Sequence, residues 1–177
     1  MTTLERVLLG IGGNIGDRVA ELRAGVDAMA THQDITVNAV SSLWETEYVG
    51  EGEQDPYLNG CVDISTTLEP VDLLAALKAI EHQRGRSLDG HLKPRPLDLD
   101  ILLFGQRVMA EEGLSIPHPD LALRAFVLEP LAELAADLVL PDSGETVQEI
   151  RAKMRDADGP WIHSWDGAGL MDDITEE

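Results

Sequence analysis

The chain has 177 residues, of which 33 are Asp or Glu and 13 are Lys or Arg, so its formal net charge at pH 7 is −20. This length is typical of one domain with a single hydrophobic core. The acidic surface repels nucleic acids and anionic membranes, and no apolar run approaches the roughly 18 residues of a membrane span.

The chain contains a single cysteine, Cys61. It excludes an internal disulfide and favours a reducing compartment. Because Cys61 lies in an apolar stretch, we expect a buried thiol with no catalytic role. No basic region followed by an apolar segment marks a signal peptide at the N-terminus. We therefore expect a cytoplasmic protein, whose acidity fits either a high-salt environment or an ordinary acidic cytosolic protein.

The first half of the chain is predicted to alternate strands with helices. Residues 7–12 form a buried strand, and a helix with an apolar stripe at helical spacing follows. Residues 35–44 and 58–67 form strands, separated by a loop over 45–57 of a length that is often functional. Pro70 begins a second helix, because proline favours the first helical turn.

The second half contains a strand that begins near Leu97 and helices over 120–136, interrupted near Pro130, and 145–155. The order β-α-β-β-α-β is that of the ferredoxin-like fold, so we predict an α+β domain with an antiparallel sheet. The residues after 155 are rich in Asp, Glu and Gly. They predict a folded domain over 1–155 and a mobile acidic tail over 156–177.

Two carboxylates stand out in the predicted strand after Leu97. Asp98 and Asp100 share one face, about 7 Å apart from the strand rise, while Leu97 and Leu99 share the other. Two carboxylates this close repel one another unless a cation lies between them, and Mg²⁺ bridging to a phosphate chain would suit oxygen ligands. An edge strand with one solvated face would show the same alternation.

Arg95 stands between Pro94 and Pro96, directly before this strand. Both prolines stiffen the backbone, so the guanidinium is presented from a rigid turn and could bind phosphate oxygens bidentately. A rigid loop with a solvated arginine is the alternative. Neither G-x-G-x-x-G nor a Walker A sequence is present, because Ile15 stands where the former needs glycine. The glycines near residue 12 are therefore expected to serve turns and close packing.

The run Pro-Arg-Pro-Leu-Asp-Leu-Asp-Ile-Leu over 94–102 resembles the signature of the hydroxymethyl-dihydropterin pyrophosphokinases, a family of folate biosynthesis. Residues 11–17, 57–59, 116–119 and 124–128 resemble further motifs of that family, in the same order. The resemblance implies a ferredoxin-like core elaborated into an α/β/α sandwich. It also implies an enzyme that transfers diphosphate from ATP to a reduced pterin, with two Mg²⁺ ions, and a catalytic domain over 1–155. We expect the protein to be a monomer.

The resemblance also implies roles for individual residues. A flat heterocycle needs an aromatic face and an amide that both donates and accepts hydrogen bonds. The implied pterin site consists of Thr46, Val49, Tyr57, Asn59 and Phe126. Without the resemblance, Asn59 would be assigned to a turn and Phe126 to the core.

The implied phosphate-side residues fall into three groups. The metal ligands are Asp98 and Asp100, and the catalytic set adds Arg86 and Arg95 to them. The nucleotide-binding set is Glu81, Arg95, Ile101, Ser115, His118 and Arg124. Ordinary alternatives exist: Glu81 could pair with Lys78 on a solvated helix face, and Arg86 could be a cation at a helix C-terminus.

The chain departs from the family pattern at several positions. Gly13 replaces a serine, Gly113 replaces an arginine, Glu47–Tyr48 replaces a proline-rich pair, and Leu92–Lys93 precedes the Pro-Arg-Pro run. The departures at Gly13, Leu92–Lys93 and Gly113 leave open a non-catalytic module that binds a pterin or nucleotide on the same fold. An RNA-binding ferredoxin-like domain is disfavoured by the charge and by the lack of an aromatic sheet-face motif.

Overall fold

The computed structural model describes residues 3–85, 93–154 and 162–170. Its elements, in chain order, are β1 Glu5–Gly13, α1 Arg18–Ala30, β2 Ile35–Val40, β3 Trp44–Thr46, β4 Tyr57–Thr66, α2 Pro70–Gln83, β5 Asp98–Phe104, β6 Met109–Glu111, β7 Leu114–Ile116, α3 Ala125–Ala135, α4 Val147–Met154 and β8 Ile162–Ser164. No helix within the described residues is both long and apolar enough to cross a membrane.

The strands form one large antiparallel sheet and a small hairpin. The large sheet has the order β5-β1-β4-β3-β8, and β2 pairs with β4 beside β3. β6 and β7 form the separate hairpin, with Glu112 and Gly113 in its turn. Gly113 has a φ of 80°, a left-handed conformation that favours glycine. The antiparallel sheet with several helices confirms the predicted mixture of α and β structure.

Helices cover both faces of this sheet because both faces are apolar. On one face, odd-numbered residues of β1 such as Leu9 pack in a core cluster with Leu22 of α1 and Leu77 of α2. On the other face, Leu8 and Cys61 pack with residues of α3 and α4. Between Leu8 and Leu9 the pairing with β5 shifts by one residue, so two consecutive β5 residues face the second cluster.

Local signals place the starts of α1 and α2 as expected, whereas α3 begins at Ala125 and not at the predicted residue 120. Asp17 caps α1 by accepting a hydrogen bond from the backbone N–H of Ala20 at 3.1 Å, and Pro70 occupies the first turn of α2. The predicted interruption near Pro130 is wrong, because α3 runs through this residue without a break.

The prediction of one strand over residues 35–44 is also wrong. β2 ends at Val40, and Ser41 and Ser42 lead to the separate strand β3. The Ser41 hydroxyl accepts a hydrogen bond from the Cys61 N–H at 2.8 Å. The Glu133 carboxylate, on α3, accepts hydrogen bonds from the Ser42 N–H, the Ser42 hydroxyl and the Trp44 indole at 2.6–2.9 Å. These contacts join residues far apart in the sequence. The alternation of apolar and polar residues within the strand therefore does not reveal where the strand is interrupted.

The described part of the expected acidic tail is packed on the sheet. Residues 162–164 form β8 against β3, and Leu170 is buried in the core between sheet and helices. The division of the chain at residue 155 stays a prediction.

Candidate active site

The strand register brings the two carboxylates, on the outermost strand β5, beside the glycines of β1. Asp98 lies opposite Gly12, and Asp100 lies opposite Gly10, across the β1–β5 pair. On its other side, Gly12 lies opposite Asn59 of β4. Because side chains alternate along each strand, Asp98, Asp100 and Asn59 all project from the same face.

The two glycines of β1 leave the floor between these side chains open. A Cβ atom on Gly12 would lie 2.7 Å from Oδ1 of Asn59, closer than atoms approach without a shift. A Cβ atom on Gly10 would meet the Leu102 side chain at an ordinary 3.5 Å. Gly12 therefore permits the close approach of the Asn59 amide to the sheet.

A cavity of about 280 Å³ lies above this floor. All five residues predicted for the pterin site line it: Thr46, Val49, Tyr57, Asn59 and Phe126. Five residues predicted for the phosphate side line it as well: Arg95, Asp98, Asp100, His118 and Arg124. One cavity thus joins a wall with aromatic and amide groups to a wall with carboxylates and cations.

The pterin-side wall is organised around Asn59. Its Nδ2 donates a hydrogen bond to the Thr46 hydroxyl at 3.0 Å, and both residues are buried. This bond orients the amide, whose Oδ1 is an acceptor for a heterocycle N–H. Tyr57 stacks on Tyr48 with ring centroids 6.4 Å apart, so Tyr48 supports the aromatic wall although sequence reasoning gave it no role.

Burial and mutual repulsion disfavour the fully ionised form of the carboxylate pair. Burial, followed by the negative charge of Asp98, raises the pKa of Asp100 from 3.8 to about 6. Asp98 forms a salt bridge with the Arg95 guanidinium, with Nη1 3.1 Å from Oδ1. Lys78 and His118 act in the opposite sense on the pKa of Asp100, without cancelling the rise.

These residues fit a hard divalent cation that is shared with a phosphate ligand. Among the described residues, no group of three or more His, Cys, Asp and Glu side chains could hold a metal by itself. Mg²⁺, however, is commonly bound by one or two carboxylates, with phosphates and waters completing its coordination. A cation beside Asp98 and Asp100 would also relieve the repulsion that raises the pKa of Asp100.

Asn14 holds the turn that carries Arg95, a role that sequence reasoning missed. Its backbone N–H donates to the Arg95 carbonyl, and its Oδ1 accepts from the Arg95 N–H, both at 3.0 Å. Its Nδ2 donates to Oε1 of Gln54 at 3.0 Å and to the Asp55 carbonyl at 3.1 Å. The signal was available in principle, because an asparagine beside two glycines in a buried strand end requires partners for its amide.

Gly13, one of the departures from the family pattern, allows the same turn to approach β1. A Cβ atom at this position would lie 2.2 Å from the Pro96 carbonyl oxygen. A serine therefore cannot replace Gly13 in this backbone without displacing the turn that follows Arg95.

His118 and Arg124 enter the cavity from the segment before α3. The His118 N–H donates to the Leu102 carbonyl at 2.9 Å, which ties this segment to the outer edge of β5. Its Nδ1 accepts from the Asp120 N–H at 3.1 Å, so the neutral ring carries its proton on Nε2. Arg124 is 3.8 Å from the Asp120 carboxylate, and 41% of its side chain is exposed.

Three residues of the predicted nucleotide set do not line the cavity. Glu81 is completely buried, and its carboxylate accepts hydrogen bonds from the Leu99 N–H at 2.7 Å and from Lys78 at 2.9 Å. Ile101 packs in the core on the opposite sheet face, and Ser115 lies on β7. Arg86, the other predicted catalytic arginine, lies outside the described residues.

Comparison with known proteins agrees with this geometry. The family model described as 7,8-dihydro-6-hydroxymethylpterin-pyrophosphokinase (HPPK) matches residues 8–136. A 2-amino-4-hydroxy-6-hydroxymethyldihydropteridine pyrophosphokinase of Pseudomonas aeruginosa is 41% identical over 84% of this chain and 91% of its own length. The enzyme of the same name from Bacillus subtilis is 40% identical over 88% of this chain and 95% of its own length.

A solved structure of Plasmodium falciparum HPPK-DHPS is similar in fold. It superposes on 86% of this chain with a TM-score of 0.70 and 14% sequence identity, and this chain spans 45% of that longer chain. The family model and the two relatives establish that this chain belongs to the HPPK family, the 7,8-dihydro-6-hydroxymethylpterin pyrophosphokinases.

Proposed function

We propose that this protein transfers the terminal diphosphate of ATP to the hydroxymethyl group of 6-hydroxymethyl-7,8-dihydropterin and releases AMP. The observation that carries the proposal is the single cavity that joins the carboxylate pair to the Asn59 wall. Family membership supports the reaction class. We also infer that the core is ferredoxin-like, because β5-β1-β4-β2 reproduces the strand order of that fold within the sheet.

On the phosphate side, Asp98 and Asp100 would hold the two Mg²⁺ ions that the family resemblance implies. Bound there, the metal would supply positive charge to the oxygens of the transferred diphosphate. Arg95 would offset charge on the transferred group, and its fixed backbone limits the entropy lost when it does so. The family resemblance assigns a parallel role to Arg86. His118, with the proton on Nε2, and Arg124 can donate hydrogen bonds to phosphate oxygens.

On the pterin side, Asn59 would bind the polar edge of the heterocycle, while Tyr57 and Phe126 would contact its ring. Thr46 and Val49 complete the wall. Fixing the pterin beside the metal-binding carboxylates would hold its hydroxyl in line with the transferred phosphorus, and this positioning supplies much of the rate enhancement in phosphoryl-type transfer. No covalent enzyme intermediate is required.

The three nucleotide-side residues away from the cavity differ in their contacts with the strand that carries the carboxylates. The Glu81 carboxylate binds the outer edge of β5, which supports an indirect role through the strand that carries Asp98 and Asp100. Ile101 and Ser115 stay predictions that rest on the family resemblance alone. A monomeric state, a cytoplasmic location and the absence of nucleic-acid or membrane partners likewise stay proposals.

The test is AMP release from ATP and Mg²⁺, with and without hydroxymethyl-dihydropterin, at low and high KCl. We expect AMP formation that depends on both the pterin and Mg²⁺. Asp98→Ala should abolish turnover and leave the unfolding transition cooperative. Pterin binding by calorimetry without any AMP formation in either salt would instead support the non-catalytic module.

A further inference from the structure

Residues 162–170, which we call the C-terminal strap, lie outside the segment that the family model matches and contain no proposed site residue. The strap nevertheless lies beside the pterin wall. Its strand β8 pairs with β3, and β3 ends at Thr46, the residue that holds the Asn59 amide. After Thr46 the chain forms a loop over 47–56 and returns to the cavity at Tyr57.

Several contacts fasten the strap to the domain along its length. The Trp165 N–H donates to the Leu43 carbonyl at 2.9 Å. The Arg23 guanidinium donates twice to the Gly169 carbonyl, at 2.9 and 2.7 Å. Leu170, only 5% exposed, packs in the core cluster that contains α1 and α2. Burial of Leu170 therefore anchors the end of the strap.

The strap fixes the residues that enter the loop. Ile162 lies opposite Thr46, and His163 lies opposite Glu45, in the antiparallel β3–β8 pair. The His163 Nε2 is also 3.3 Å from Oε1 of Glu45. Without β8, β3 would be an outer strand of three residues paired on one side, which is a weak support for a loop.

The strap also reaches the residues that leave the loop, through Arg18. The Arg18 guanidinium lies over the Trp165 ring, 5.2 Å from its centroid. The same guanidinium donates to the Pro56 carbonyl at 2.8 Å and pairs with Oε2 of Glu45 at 2.7 Å. One cation stacked on the strap thus connects both ends of the 47–56 loop.

We propose that the C-terminal strap is a positioning element for the pterin wall. It holds both ends of the 47–56 loop, so that Thr46, Val49 and Tyr57 keep the shape of the cavity before the pterin binds. A loop held in this way loses less conformational entropy on binding, which raises affinity without any direct contact. This inference rests on the proposed pterin site.

Trp165 is the position at which the proposal can be tested in the intact chain. Its indole Nε1 is buried and has no hydrogen-bond partner within the described part of the chain, so replacing the indole removes no hydrogen bond from it. Trp165→Leu keeps an apolar side chain and removes the aromatic face beneath Arg18. Trp165→Phe keeps an aromatic face and is the conservative rescue. Val147→Ala, in the core cluster with Leu8 and Cys61 and not in the cluster that Leu170 and Trp165 pack against, is the control for a general loss of stability.

Two measurements separate a positioning role from a structural one. Amide hydrogen exchange over 47–56, without ligands, should be faster in Trp165→Leu and close to wild type in Trp165→Phe and Val147→Ala. The KM for the pterin should rise roughly tenfold in Trp165→Leu, the upper range for loss of a cation–π contact, while kcat and the KM for ATP stay within about twofold.

Several outcomes would overturn the strap proposal: unchanged exchange and pterin KM in Trp165→Leu, equal changes in Val147→Ala, or a parallel rise in the KM for ATP. A wild-type protein that forms no AMP with pterin present would refute the proposed function instead. In that case the exchange experiment still decides whether the strap orders the loop.

Discussion

Asp100 is the residue at which function and stability are most directly opposed. Its side chain is largely buried beside Asp98, and its pKa rises from 3.8 to about 6. The folded protein therefore binds this proton more tightly than the unfolded chain does. Its contribution to stability is fully present below the unfolded pKa of 3.8 and is lost as the pH rises through 6. The difference between a pKa of 3.8 and one of about 6 corresponds to about 3 kcal/mol of folding stability lost between pH 4 and pH 8.

Asp100→Asn removes the ionisable group while keeping nearly the same volume. Without metal at pH 8, we expect this variant to be about 1 to 3 kcal/mol more stable than the wild type, with the lower end allowing for coupling to Asp98. In a protein of this size, that difference raises Tm by roughly 3 to 10 °C. The advantage should shrink as the pH falls from 7 to 4, because the wild-type carboxyl becomes protonated. Turnover should be lost, because a metal ligand is gone.

The assay is urea unfolding from pH 4 to pH 8 in the presence of EDTA, repeated with Mg²⁺ and a non-hydrolysable ATP analogue. The metal and nucleotide should stabilise the wild type and have much less effect on Asp100→Asn. Asp142→Asn, at an exposed carboxylate, is the matched control and should show neither effect. A variant that is no more stable than the wild type at pH 8, or whose advantage persists at pH 4, would refute the desolvation argument.

Three further predictions concern residues around the site. Glu81→Ala should lower the free energy of unfolding by about 3 kcal/mol, because it leaves the buried Leu99 N–H without its acceptor, and urea unfolding measures this. Gly13→Ala should cost about 1 to 3 kcal/mol and lower kcat, since the new methyl group displaces the Pro96 carbonyl. Cys61 should resist iodoacetamide until urea unfolds the protein, because burial and the nearby negative charges raise the pKa of its inaccessible thiol.

Each of these predictions has a matched comparison. Glu81→Gln keeps an acceptor for the strand N–H and should cost less than Glu81→Ala; equal losses would argue that the hydrogen bond contributes little. Gly10→Ala adds its methyl group at 3.5 Å from a side chain and should be better tolerated than Gly13→Ala. Labelling of Cys61 in native buffer at the rate of a free thiol would contradict the burial argument.

Much of the fold followed from short-range patterns in the sequence. Proline at residue 70 marked the start of α2, and the alternation after Leu97 placed Asp98 and Asp100 on one face. Both inferences depend on neighbours within a few residues, where helix and strand geometry is fixed. The family resemblance then named ten residues that line one cavity, a grouping that periodicity alone does not predict.

The sequence by itself determined which side chains share a face within a strand, because that depends only on the strand period of two residues. The tertiary structure alone decided what lies across from them. Three contacts of this kind join residues 18 to 90 positions apart. Asp100 pairs with Gly10, the Glu81 carboxylate accepts a hydrogen bond from the Leu99 N–H, and the Asn14 side chain accepts one from the Arg95 N–H. Strand β8 is a further example, because the acidic sequence around it does not indicate that it pairs with β3. Such contacts depend on packing the two faces of the sheet simultaneously, and no local pattern encodes that choice.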